Sequence, residues 1–236
     1  MTDSIEEHMK TNKNKPVLLC LHGFLGSHHD WDFLKEKTDY DVRAIDIPAG
    51  TIEEICDHLS NLIDTCTILG YSMGGRIAIE FAKRYPQKVK KLILESTSPG
   101  IENPIERQAR WESDQNKSRE LTKNFPKFIE DWYKQPLFGT LFKNPKFKPY
   151  LQDRLKQNSE VMAQILCELS PGITPSHWHD FPEVPTTLLV GENDHKYVEI
   201  AKKLKEIYPK IKVHMISDSS HAIHIEYQDT FAQCVV

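Results

Sequence analysis

The 236-residue chain has no apolar run approaching the roughly 20 residues of a helical membrane span, which excludes a helical transporter or channel. Its opening segment, Met1 to Lys15, is polar and charged and has no apolar stretch of the secretory-signal kind. Cysteine is sparse. Cys20, Cys56, Cys66, Cys167 and Cys234 are scattered, none of them paired as C-x-x-C. Their odd number rules out a complete disulfide set, and the expected compartment is the reduced cytoplasm. A basic excess is also missing. With a net charge of −4, nothing in the composition points to a nucleic-acid or membrane-surface partner. There are no internal repeats and no low-complexity tract. What remains, at 39% hydrophobic and 27% charged residues, is the composition of one ordinary globular domain.

The pattern within that domain alternates strand with helix. Pro16-Val17-Leu18-Leu19-Cys20-Leu21 is a short continuous apolar run, as expected of a strand covered on both faces. Further strands are predicted at Val42–Ile45, Cys66–Leu69, Val89–Leu94, Thr186–Val190 and Lys212–Ile216. Helices are predicted at Glu53–Ile63, from the elbow described next to about Tyr85, and from Val198 to Tyr208. This rhythm predicts a mostly parallel, doubly wound α/β sheet. The stretch 96–184 interrupts it. It is helical in pattern, starts at Asn103-Pro104 and is rich in aromatics, from Trp111 to Tyr150. The expected organisation is a single domain over 1–236, with a core of 16–95 and 185–236 and a helical lid of 96–184. A helical subdomain with a small core of its own is the alternative reading of the insertion.

Gly70-Tyr71-Ser72-Met73-Gly74 lies between a predicted strand and a predicted helix, the context that makes Gly-x-Ser-x-Gly a nucleophile elbow. A serine hydroxyl reacts only when a histidine takes its proton, and that histidine needs a carboxylate to orient it. In a sheet of this kind functional groups gather in the loops at the carboxyl ends of strands. His221, after the last strand, is therefore the candidate base, with His224 as its nearest competitor. Asp194, in Gly191-Glu192-Asn193-Asp194, is the candidate acid, ahead of Glu192 and Asp218; its plain alternative is a turn-forming or helix-capping aspartate. The chain order Ser72, Asp194, His221 is that of an α/β-hydrolase triad. The His22-Gly23-Phe24 loop is expected to bring the Phe24 amide beside that of Met73 as an oxyanion hole. His22 itself is read as structural.

Beyond these residues, the chain resembles one family of that superfamily almost from end to end: 2-succinyl-6-hydroxy-2,4-cyclohexadiene-1-carboxylate synthase of menaquinone biosynthesis. The resemblance runs through Leu21–Gly26, Asp30-Trp31, Gly70–Arg76, Ser98-Pro99-Gly100, Glu106-Arg107-Gln108-Ala109-Arg110, Asp131–Pro136 and Gly191–Tyr197. The elbow is common to the superfamily; the arginine-bearing segments and Asp-Trp-Tyr-x-Gln-Pro are specific. The resemblance implies a carbon–oxygen lyase that eliminates pyruvate from a small polycarboxylate, with Ser72 acting in proton abstraction and no metal or cofactor required. It implies that Arg76, Arg110 and Arg154 bind carboxylates, since guanidinium forks fit them in bidentate fashion; the plain alternatives are that Arg76 pairs with Glu80, and Arg110 with Glu106, four residues away on the same helix. It also implies that Tyr71 and Trp132 line the cleft. Against the family pattern, the closing helix ending at Val236 reads as a few residues short. Two rivals stand beside this reading: an esterase acting through an acyl-serine, and a hydrolase-fold binding protein, whose usual sign is a lost triad member. The sequence carries no signal of oligomeric state.

Overall fold

The computed structural model describes residues 15–139 and 141–236. All but Lys15 of the polar N-terminal segment lies outside the described residues. Among the described residues six strands form one sheet: β1 (Val17–Leu21), β2 (Asp41–Ile45), β3 (Cys66–Tyr71), β4 (Val89–Glu95), β5 (Thr186–Gly191) and β6 (Lys212–Ile216). Their order is β2-β1-β3-β4-β5-β6, and every neighbouring pair is parallel. β3 and β5 are buried at every residue, as central strands with both faces covered must be. β6, at the edge, buries only Ile216.

Alternation along the strands divides the core in two. Leu19 and Leu21 of β1 join one apolar cluster, with α2 (Ile52–Leu62), α3 (Met73–Arg84) and α8 (His195–Ile207). Leu18 and Cys20 join the other, with α1 (Leu34–Lys37), α9 (Ile223–Glu226) and α10 (Gln228–Val235). After β2 the chain returns to the far side of β1 to form β3, so strand order reverses between β1 and β3. The loops leaving those two strands diverge there and open a crevice at their carboxyl ends.

Between β4 and β5 the chain inserts α4 (Pro104–Lys123), α5 (Phe125–Tyr133), α6 (Phe147–Arg154) and α7 (Ser159–Glu168). The aromatics of this insertion are not a free-standing flap. Phe128, Tyr133, Phe138 and Phe147 are buried in the second cluster, continuous with the sheet, and Ile165 of α7 reaches the first. Among the short segments with no counterpart in the predicted elements are a 3-10 turn at His28–Trp31 and the four-residue α1. Neither is long enough to display a helical period. α8 starts three residues earlier than its apolar pattern, because its first turn is polar and faces a cavity.

Candidate active site

Ser72 lies between β3 and α3, as the N-cap residue of α3, with φ 51° and ψ −106°, a backbone region that a residue with a side chain adopts only under strain. The surroundings hold it there: its N–H donates to the Glu95 carbonyl (2.9 Å), and Thr97 Oγ1 donates to its carbonyl (2.7 Å). Close approach explains two flanking glycines. A Cβ on Gly70 would lie 2.5 Å from the Gly74 carbonyl oxygen, and one on Gly74 would strike the carbonyls of Leu21 and His22. Strand, turn and helix thus meet at a distance no side chain allows.

His221 follows β6, and its Nε2 lies 3.0 Å from Ser72 Oγ. Its Nδ1 lies 2.6 Å from Asp194 Oδ2. With the carboxylate accepting from Nδ1–H, Nε2 is left to accept from the serine hydroxyl. Asp194 occupies the N-cap position of α8, yet its side chain makes no capping bond. Its carboxylate turns to the histidine instead, which removes the capping alternative. The other candidates are elsewhere. His224 is fully buried, and its Nδ1 pairs with Glu95 at 2.9 Å. Glu192 is exposed and accepts from the Asp218 N–H.

His22 Nε2 accepts from the Ile47 N–H (3.0 Å), so its Nδ1–H donates to the Gly23 carbonyl (2.8 Å). Burial lowers its pKa, and the neutral ring clamps the loop that presents Phe24. Met73 is the first residue of α3, so its N–H has no partner within that helix.

These elements bound a cavity of about 620 Å³, lined by Phe24, Tyr71, Ser72, Met73, Arg76, Arg110, Trp132 and His221 among others. Trp132 packs edge-on against Phe24, ring centroids 4.9 Å apart, and Tyr71 lies against His221 at 5.3 Å. Arg76 donates through Nη2 to the Leu169 carbonyl (2.9 Å), while its buried Nε has no partner. Burial, and then the charge of Arg110, draw its pKa down to about 10, leaving it a cation at neutral pH. It does not pair with Glu80, which bonds His177 at 2.7 Å. Arg110 pairs not with Glu106 but with Asp114, Nε to Oδ2 at 2.7 Å. Asp114 is fully buried and also accepts from Ser170 Oγ (2.7 Å).

Arg154 departs from expectation. It is 2% exposed and is absent from the cavity wall. Its Nη1 and Nη2 donate to the two oxygens of buried Asp30, each at 2.7 Å, and its Nε to the Tyr133 hydroxyl at 3.2 Å. All three donor positions are engaged, so this guanidinium braces the insertion against the core and has no free fork for a ligand. Sequence reasoning passed over Asp114, Lys196 and Tyr197, which also line the cavity. The last two stand in the first turn after Asp194, a position that signals nearness to the triad.

The family model described as alpha/beta hydrolase fold matches residues 49–227. Among curated proteins, the chain is 31% identical to "Protein PHYLLO, chloroplastic" of Arabidopsis thaliana over 91% of its own length. It spans only 15% of that much longer protein. It is 30% identical to the "Putative 2-succinyl-6-hydroxy-2,4-cyclohexadiene-1-carboxylate synthase" of Bacillus subtilis (strain 168), covering 93% of this chain and 88% of that one. A solved structure, "Structure of MenH from S. aureus", superposes with a TM-score of 0.89 at 33% identity, over 96% of this chain and 94% of that chain. The chain therefore belongs to the α/β-hydrolase superfamily and, within it, to the 2-succinyl-6-hydroxy-2,4-cyclohexadiene-1-carboxylate synthase family.

Proposed function

We propose that this protein is the lyase of menaquinone biosynthesis that eliminates pyruvate from 2-succinyl-5-enolpyruvyl-6-hydroxy-3-cyclohexene-1-carboxylate to give 2-succinyl-6-hydroxy-2,4-cyclohexadiene-1-carboxylate. Product and substrate differ by a shift of the ring double bond and loss of the C5 substituent, so the proton removed is the one on C2, next to the succinyl ketone. Ser72 takes that proton as its own passes to His221 Nε2, and Asp194 stabilises the imidazolium that forms. Charge moves onto the ketone oxygen, where the Phe24 and Met73 amides hold it. The electrons then return through the ring, forming the 2,4-diene and expelling the C5 oxygen as the enolate of pyruvate, and that enolate collects a proton to become pyruvate.

Arg76 and Arg110 bind substrate carboxylates, and Tyr71 and Trp132 shape the cleft. The single observation that carries this reading is Arg76: a half-buried side chain beside the triad whose buried Nε has no partner and which, among the described residues, has no carboxylate of its own. An esterase for neutral esters has no use for such a charge, whereas a polyanion supplies the missing counter-ion. The working compartment proposed is the cytoplasm; among the described residues no helix is long and apolar enough to cross a membrane.

The test is pyruvate release from the enolpyruvyl substrate, with p-nitrophenyl ester turnover measured in parallel. The wild type is expected to release pyruvate, and Ser72→Ala to lower kcat by roughly 10²–10⁴-fold. Near-normal diene formation by Ser72→Ala would remove the serine from the mechanism. Fast ester turnover without pyruvate release would overturn the lyase reading.

A further inference from the structure

The proposed substrate carries three carboxylates, on the ring, the succinyl arm and the enolpyruvyl arm, while Arg154 is withdrawn from the cavity. Among the described residues, five cations line the wall: Arg76, Arg110, Lys117, Lys196 and Lys203. Two of the three lysines have acidic neighbours. Lys203 Nζ lies 3.3 Å from Glu102 and over the Trp178 ring, and Lys117 Nζ lies 3.9 Å from Asp114. Among the described residues no carboxylate lies within ion-pair distance of Lys196; its ammonium sits 5.5 Å from the centroid of the Tyr197 ring. It stands in the first turn of α8, two residues after Asp194, and Tyr197 beside it packs on His221 with centroids 4.7 Å apart. The residue is exposed overall, with its ammonium partly shielded from water. Burial lowers its pKa first, Arg110 and Arg76 lower it further, and Asp194 opposes them. Lys196 thus shares the cavity with Arg76 and with Arg110, whose charge Asp114 offsets only in part, an arrangement that an entering polyanion relieves.

Resting on the polycarboxylate reading above, we propose that Lys196 is the third carboxylate-binding residue of the cavity, completing with Arg76 and Arg110 a set of three cations for a tricarboxylate. A lysine at the rim acts as a point charge rather than a fork, so it attracts a carboxylate without fixing its plane.

Steady-state pyruvate release by Lys196→Met, Lys196→Arg and Lys202→Met, over a range of ionic strength, tests this. Lys202 loses the same charge from the same helix but is exposed and paired with Glu199, so its variant is expected to match the wild type. Lys196→Met is expected to raise KM by about tenfold and to flatten the salt dependence of kcat/KM, with kcat little changed; Lys196→Arg is expected to restore most of the loss. Wild-type KM and salt dependence in Lys196→Met would overturn the assignment while leaving the lyase reading intact. If the wild type itself releases no pyruvate, the lyase reading fails. Calorimetric titration with citrate then decides the present one: weaker binding by Lys196→Met than by wild type supports it, and equal binding, or none to either, overturns it.

Discussion

At the scale of single residues, the Asp30–Arg154 pair bears most on stability. Both side chains are out of water, and each satisfies the other in bidentate fashion. Burial alone would raise the Asp30 pKa, but Arg154 overrides it and holds the carboxyl below its ordinary value. Removing one partner leaves an uncompensated buried charge. Arg154→Met is therefore expected to cost about 3–5 kcal/mol in urea-induced unfolding, and the double variant Asp30→Asn/Arg154→Met to be more stable than Arg154→Met alone. A double variant no more stable than the single would mean that packing, not charge, sets the loss. This pair also shows where the sequence was silent. Asp30 and Arg154 are 124 residues apart, and a chain read in one dimension gives an arginine no sign of which carboxylate will claim it. The same holds for Arg110, whose partner Asp114 lies one turn beyond it rather than at Glu106, one turn before.

Among the elements, the strands were legible nearly to the residue, because a strand covered on both faces must be an unbroken apolar run. β5 runs Thr186–Gly191 against an expected Thr186–Val190. The start of α4 was legible too. Asn103 Oδ1 accepts from the N–H groups of Ile105 (2.8 Å) and Glu106 (3.2 Å), with Pro104 in the first turn. Asn103→Ala is expected to cost about 1 kcal/mol in chemical denaturation, the usual value of such a cap. A loss within error would show that packing against α7 alone determines this helix end. The polar opening turn of α8 was not legible, since periodicity reports only the face that a helix buries, and this turn looks into a cavity.

Considered as a whole, the molecule joins its insertion to the sheet through ionisable contacts as well as apolar ones. His177, near the end of the insertion, bonds Glu80 of α3 through Nε2 (2.7 Å) and Asp180 through Nδ1 (3.0 Å). Burial by itself would lower the His177 pKa, but the two carboxylates together raise it above its ordinary value of 6.5. A histidine with a raised folded pKa stabilises the fold fully below its unfolded pKa, and that contribution fades as pH rises through the folded one. The Tm deficit of His177→Gln is accordingly expected to be larger at about pH 5.5 than at about pH 9. A deficit independent of pH would show that the imidazole acts through shape alone.

The insertion has a second attachment, at the triad itself. The His221 N–H donates to the Leu137 carbonyl (3.2 Å), Ser220 Oγ to the Phe138 carbonyl (3.0 Å), and the Phe138 ring meets His221 edge-on. The backbone that carries the imidazole is thus tethered to the same segment that forms part of the cavity wall. The shape of the wall and the alignment of the base share one mechanical linkage: a shift of residues 137–138 is expected to move the backbone that carries the imidazole as well. Substitutions at Leu137 chosen to admit bulkier compounds are expected to trade reach against proton transfer, because wall and imidazole hang from one frame.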